Sequence, residues 1–424
     1  MPSAPTPAQP RPLQVRDAIV IRPCGPQDWP AVLHVDELAF GYTWEGDPTV
    51  DAESAVFEVE RTLLATLGGD PAGITSAFSL RMSVPGGEEV PVAGVTWVGV
   101  VPTLRRRGVL TALMSAQLEQ VHAGGEPVAA LWSSEPGIYG RFGYGPASHH
   151  YTLTVPRGHG AVDGPDDPAL TARIVPAAQA QAAVGVVFDR VRSVRPGMPA
   201  RDDRWWARCV NDPPSARSGA SELRALLVGD ADGPRAYALW SATQEWSTGS
   251  AEGRVEVREA LSADAAASRL LWQTLLSMDL VGAVSVRRVA VDDPLVHQLR
   301  DPRRAHLELR DALYVRVVDL AAALPARGYE VAWRGVVDVA DDLCPWNQGR
   351  WRLSIGPDDA AVERTDLEPD LVLDVRELGA AYLGGTSLVE RAAAGHVKQV
   401  TPGALAGLSR AFRSEPQPFC PFEF

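Results

Sequence analysis

Residues 92–114 read VAGVTWVGVVPTLRRRGVLTALM. The stretch 92–101 is apolar on both alternating faces, with Val95, Trp97 and Gly99 on one and Thr96, Val98 and Val100 on the other, as a strand buried on both sides would be. Arg105, Arg106, Arg107 and Gly108 come next, and then Leu110, Leu113, Met114, Leu118 and Val121 fall on one face of a helix ending near Gly124 and Gly125. A turn placed between strand and helix in this way aims free N–H groups and the positive end of the helix dipole at whatever approaches, and a glycine there admits an anion close to the backbone. The same residues, read alone, also suit a solvated basic turn ahead of a core-packing helix.

Working outward, the upstream sequence predicts a strand at AIVIRP (18–23), a helix over 27–40, and apolar runs separated by turn signals such as Pro85-Gly86-Gly87. Downstream lie a strand over 128–132 and then Ile138-Tyr139-Gly140-Arg141-Phe142-Gly143-Tyr144. The segment PRGHGAVDGPDD (156–167) has linker composition. Between 171 and 313 a second strand-then-helix unit is expected, with a strand over 255–260 and a helix over 263–278. Its helix entry, Ser262-Ala263-Asp264, has neither the arginines nor the glycine of the first. From 314 the pattern is that of a small α+β domain, with strands at 351–355 and 371–375, helices at 376–383 and 404–412, and the ending FCPFEF.

With 424 residues the chain is too long for one ordinary core, and three domains are expected. A composition of 46% hydrophobic and 22% charged residues is that of a globular protein, and no apolar run reaches the roughly 18 residues of a membrane span. The opening MPSAPTPAQPRP lacks the charged start and apolar centre of a secretory signal, which leaves a disordered tail over 1–16 and a cytoplasmic location as the expectation. Cys24, Cys209, Cys344 and Cys420 are far apart, and the histidines show no ligand spacing, so neither disulfides nor a metal is expected. A net charge of −13 disfavours nucleic acid and would attract a cationic ligand.

Arg105 to Gly108 and Tyr139 to Tyr144, in this order and separation, resemble the pyrophosphate loop (Arg/Gln-x-x-Gly-x-Gly/Ala) and the later Tyr-x-x-x-Gly-Phe/Tyr of the GNAT N-acetyltransferases. Leu110 departs from the small residue that closes the loop pattern. More closely, VGVVPTLRRRGVLTALM, PVAALWSSEPGIYGRFGYGPAS, DALYVRVVDLAAALPARGY and the ending PFEF resemble the enhanced intracellular survival (Eis-like) acetyltransferases, in segments across nearly the whole chain. The resemblance implies a mixed α/β (α+β) architecture of tandem GNAT folds followed by a sterol-carrier-protein-like domain. Its expected divisions are a catalytic GNAT domain over 17–160, a silent one over 168–313, and the last domain over 314–424 with its terminus in the active site. A homo-hexamer is likewise implied.

It further implies that acetyl-CoA is the co-substrate. Val98, Gly99 and Val100 would offer backbone groups to its pantetheine arm, and Arg105, Arg106, Arg107 and Gly108 would hold its pyrophosphate. Tyr139 would be the general acid, a phenol of reference pKa about 10 that keeps its proton at neutral pH, with Tyr144 its nearest rival. The carboxylate of Phe424 would take a proton through a water or anchor the substrate ammonium. Ser133 and Ser134 either bond cofactor or substrate or cap the helix carrying Tyr139. Trp44, Glu45, Asp47, Trp132 and Glu423 are candidates for an acidic, aromatic pocket, in keeping with the acid-lined pockets of aminoglycoside-acetylating members. The amine acceptor would then be an aminoglycoside, a polyamine or a protein lysine. The competing function is a non-catalytic binding protein for acyl-CoA or an apolar ligand. Trp205 and Trp206 are expected to pack rather than to act.

Overall fold

The computed structural model describes residues 19–44 and 55–424, so the tail expected over 1–16 and the acids Glu45 and Asp47 lie outside the described residues. The described residues form two compact units, one of residues 19–44, 59–76 and 97–116, the other of residues 55–58, 77–96 and 117–424.

In the smaller unit, strand Ile19–Pro23 runs antiparallel to Leu63–Leu67, from Ile19↔Leu67 to Pro23↔Leu63. That strand in turn pairs with the start of Asp70–Ser83, Leu64 opposite Ile74. Leu63, Ala65, Ala72, Val100, Val109 and Leu113 form the buried cluster, and Ile19, Leu104 and Leu110 pack against it. The departure at Leu110 therefore has a structural use, since its side chain joins an apolar cluster instead of leaving a gap. Helix Trp29–Phe40 ends at Gly41, which has φ 73° and donates its N–H to Glu37 O, a left-handed helix stop.

Beside a two-stranded ribbon of Trp246–Ser247 and Ser250–Ala251, three larger sheet assemblies are described in the larger unit. In the first, Glu89–Val100 and Val128–Trp132 are parallel from Val92↔Val128 to Val95↔Leu131. Leu313–Val317 then pairs antiparallel with Val128–Trp132, and also with Gly145–Pro146. The second is a seven-stranded sheet that includes Thr171–Pro176, Arg224–Asp230, Gly233–Ala242, Arg254–Ser262 and Ala283–Ala290. The third is five-stranded, built around Trp333–Ala340 between Gly349–Ile355 and Leu371–Asp374.

The sheets do not respect the divisions expected along the chain. Strand His149–Pro156 precedes the linker, yet it lies in the second sheet, between Ala283–Ala290 and Glu308–Asp311. Leu313–Val317 follows the second fold and completes the first sheet. The reason is burial. Leu153 and Val155 are 2% exposed inside the cluster of the second sheet, whereas Leu313, Val315 and Val317 are fully buried in the other cluster. Each such side chain contributes about 1.5–3 kcal/mol when covered, so neither strand could be left on a solvent edge cheaply. Arg316, on the same strand, is also fully buried and donates Nη2 to both oxygens of Asp341 at 2.7 and 2.8 Å. A buried pair of this kind fixes which loop meets which strand more than it adds stability.

Candidate active site

The turn from Arg105 to Gly108 sits on the smaller unit. Strand Glu89–Val100 carries Trp97 at φ 50°, a left-handed conformation that an L side chain rarely adopts, near the strand's end. Rings gather there. Trp29 and Trp44 lie 5.7 and 5.9 Å from Trp97, and Tyr42 lies 5.9 Å from Trp44. Tyr42 donates its hydroxyl to Asp36, a buried carboxyl raised above its usual pKa by that burial, although the Tyr42 bond works the other way. Sequence reading had singled out Trp44 alone of this group. The signal it passed over is an indole in an otherwise aliphatic strand.

After the strand, Arg105, Arg106, Arg107 and Gly108 are exposed. Arg106 takes φ 62° and Gly108 φ 89°, so the turn curls its amides to one side, the backbone concavity that binds anions. Arg105 folds back, with Nε 3.4 Å from Val100 O and Nη2 3.3 Å from Ala39 O. It braces the turn, and Arg106 and Arg107 present their charge to solvent. Ala112 N–H donates to Gly108 O, which makes the amides of Val109, Leu110 and Thr111 the unfilled first-turn donors of helix Val109–Ala123. Exposed cations, curled amides and a left-handed glycine suit a pyrophosphate. Val98, Gly99 and Val100 precede this turn in the strand, and Gly99 packs so closely on Ala39 that a Cβ would stand 2.9 Å from it.

The corresponding turn of the second fold is chemically opposite. Asp264 occupies the N-cap of helix Ala265–Leu276, accepts from Ala266 and Ala267 N–H at 3.1 and 3.0 Å, and is ion-paired with Arg235. A carboxylate already holds the donors a phosphate would need.

Tyr139, in the larger unit, ends the short helix Pro136–Tyr139. It is half-buried, and its ring meets that of the buried Tyr144 edge-on at 6.0 Å. Burial, reinforced by Glu135, pushes the Tyr139 phenol up to about 12. The backbone then turns at Gly143, φ 80°, where a Cβ would lie 2.6 Å from Arg316 Nε, so the glycine answers both a left-handed turn and a close approach. Capping by Ser133 or Ser134 does not occur: the N-cap is Glu135, with no side-chain cap bond. Ser134 is exposed, and the Ser133 hydroxyl is buried without a hydrogen-bond partner among the described residues.

The chain end is docked. Phe422 and Phe424 are 8% and 9% exposed, their rings 6.3 Å apart. A Cβ on Gly94 would stand 3.2 Å from the Phe424 ring, which puts the last residue against the strand pair of Gly94 and Ala130. Glu423, expected as an acid of the substrate pocket, instead spends its carboxylate on Arg288, 2.7 Å away. Trp132 is half-buried with the Arg288 guanidinium 5.8 Å from its ring. Beside the tail is a cavity of about 220 Å³ whose walls include Arg201, Arg208, Arg258, Arg288 and Phe422. Sequence reading missed these arginines, which have no local motif. Among the described residues no cluster of three or more His, Cys, Asp or Glu is disposed to hold a metal, and no helix is long and apolar enough to cross a membrane.

Residues 20–147 and 197–317 each match an acetyltransferase (GNAT) domain family, and 320–421 match a sterol carrier protein domain. An uncharacterized N-acetyltransferase of Streptomyces avermitilis is 40% identical over 401 residues, 94% of this chain and 97% of that protein. The N-acetyltransferase Eis of Mycobacterium tuberculosis is 32% identical over 95% of this chain and 99% of its own. Among solved structures, Eis1 of Mycobacterium abscessus superposes with a TM-score of 0.81 at 32% identity, covering 96% of this chain and all of that one. Two GNAT folds, a sterol-carrier-like domain and relatives matched over nearly their full length lead to one assignment: the chain is an N-acetyltransferase and belongs to the Eis-like family of the GNAT superfamily.

Proposed function

We propose that this enzyme moves an acetyl group from acetyl-CoA to an amine of a polycationic small molecule, of the aminoglycoside or polyamine kind. The observation that carries the reading is the exposed turn from Arg105 to Gly108, with its two left-handed residues ahead of a 15-residue helix. When bound, acetyl-CoA supplies the acyl thioester; the chain supplies everything that binds, orients and moves protons. Arg106, Arg107 and the first-turn amides neutralise the pyrophosphate, and Arg105 keeps the turn in shape. Backbone groups of Val98, Gly99 and Val100 align the pantetheine arm. Tyr139 holds a proton at its phenol oxygen for the departing thiolate, and a pKa near 12 keeps that proton in place throughout the neutral range.

The Phe424 carboxylate anchors the incoming ammonium or takes its proton through a water. The net charge of −13 favours a cationic acceptor. From its four dispersed cysteines we propose a cytoplasmic location and, by family resemblance, a homo-hexamer; a native mass at micromolar concentration that corresponds to a monomer would remove that assembly. The test of the acetyl-CoA site is calorimetry on Arg105→Ala/Arg106→Ala. Affinity for CoA should fall by about 1.5–3 kcal/mol for each charge-assisted bond lost, and unchanged affinity would sink the assignment. The acceptor is found by thiol release from acetyl-CoA against aminoglycosides, polyamines and lysine peptides.

A further inference from the structure

The second GNAT fold has lost its anion turn to Asp264 but retains dense contact with the chain's last eleven residues. Residues 414–424 contain no helix or strand, so no backbone ladder sets their course. Their course is set instead by separate contacts, most of them made by side chains. Gln417 accepts at its carbonyl from Arg195 Nη1 at 2.7 Å and donates its N–H to Asp292 at 2.9 Å, with Arg195 and Asp292 themselves paired at 2.6 Å. Phe419 N–H reaches Pro196 O at 2.9 Å. Phe422 lies on the guanidinium of Arg201, 4.3 Å from its ring centroid, and tilts against Trp205 at 5.5 Å.

Arg201 is itself almost fully buried. It holds Glu259 through two bonds of 2.9 and 2.5 Å and lies between the rings of Phe188 and Trp206. A buried ion pair of this type adds little net stability. What it supplies here is a flat, charged platform for Phe422.

Arg288 makes the contact nearest the terminus. Its Nε donates to Pro421 O at 2.8 Å and its Nη1 to Glu423 Oε1 at 2.7 Å, so one rigid fork grips the chain on both sides of Phe422. Arg208 adds a bond to Glu423 O at 3.2 Å. The Glu423 carboxylate is 63% exposed, and an ion pair there is weak as a stabiliser. The bond to Pro421 O acts on the backbone itself, one peptide before Phe422.

We propose that the second GNAT fold is the cradle of the chain terminus, and that Arg288 is a positioning residue that holds the Phe424 carboxylate in register for acetyl transfer. The proposal rests on the reading of Phe424 as an active-site group. Because reacting groups tolerate little displacement, with ~1 Å costing on the order of 100-fold, losing the fork nearest the terminus should appear in turnover before it appears in stability.

The test uses the full-length enzyme and four variants: Arg288→Ala, Arg288→Lys, a chain lacking Phe424, and the combination of Arg288→Ala with that deletion. Arg288→Ala should lower kcat by about tenfold or more, leave KM for acetyl-CoA within about twofold, and speed the release of Phe424 by carboxypeptidase A. Arg288→Lys should recover part of the loss, since an ammonium reaches one acceptor where the fork reaches two. The combined variant should be no worse than the deletion alone, because both act through the same group. Wild-type kcat and wild-type Phe release in Arg288→Ala, with the deletion impaired, would overturn the cradle and leave the Phe424 reading standing. Full kcat in the deletion would overturn the Phe424 reading itself. If Arg288→Ala fails to fold, Arg288→Met decides, since it keeps the apolar stem and removes both donors: faster Phe release with lower kcat supports the cradle, and no change in either overturns it.

Discussion

At the scale of single residues the proposed chemistry turns on how Tyr139 is kept protonated. Its folded pKa of about 12 lies above the reference of about 10, so the group stays neutral at every pH below that value and ionises only as pH rises through it. The kcat profile should therefore show no alkaline fall assignable to Tyr139 below roughly pH 11, and any limb seen at lower pH must belong to the substrate amine or another group. Tyr139→Phe should lower kcat by ~100-fold or more while acetyl-CoA binding is retained, as read by steady-state kinetics beside calorimetry. Wild-type turnover in that variant would move the proton donor elsewhere. Residues like Tyr139 are legible because a motif with fixed spacing, Tyr139 to Gly143 to Tyr144, surrounds them. Glu423 was not legible in the same way. Its neighbours in sequence suggested a pocket acid, but its partner Arg288 is 135 residues away, and nothing in FEF announces an arginine across from it.

At the scale of elements, runs bounded by turn residues read almost to the residue. Strand Val128–Trp132 and helix Ala404–Phe412 have the bounds their apolar patterns predict. Helix 263–278 was read too long, because Asp264 is its cap and not its second residue. The left-handed backbone at Trp97 is not legible in the sequence for a physical reason: a left-handed residue is announced by glycine or asparagine, and tryptophan there is held by its surroundings. Gly108 is the converse case, legible as a glycine that a turn requires. At φ 89° any Cβ is strained, although the space around it is open to 3.7 Å at Ile19. Gly108→Ala should thus cost about 1–3 kcal/mol at the turn and weaken CoA binding, with the rest of the fold intact by circular dichroism. Unaltered affinity would mean that the amides of the turn do not meet the phosphates.

At the scale of the whole molecule the chain was expected to divide at 160 and 313, but the strands His149–Pro156 and Leu313–Val317 each complete the sheet of the other fold. Such an exchange leaves no local trace, since a strand's sequence shows that it is buried and not which neighbour buries it. One consequence is that a chain cut after residue 312 loses Leu313, Val315 and Val317 from the first sheet and should be insoluble, whereas independent GNAT domains would survive the cut. The other consequence concerns the terminus. Phe424 is held against Gly94 with its ring 9% exposed, so residues appended beyond it must either pass through that packing or pull the tail out of it. Either way the carboxylate moves to the new end of the chain. The arginine turn belongs to the other compact unit, and affinity for CoA should survive the extension. A protein extended by a few residues should then bind CoA as the parent does and turn over an amine acceptor at a small fraction of its rate. Joining the extension through a self-cleaving intein and then releasing it, so that Phe424 is again the last residue, should restore that rate, a recovery that a misfolded protein could not show. An extended protein with the parent's kcat would make the docked terminus structural, and proton removal would then fall to ordered water or to an acid elsewhere in the chain.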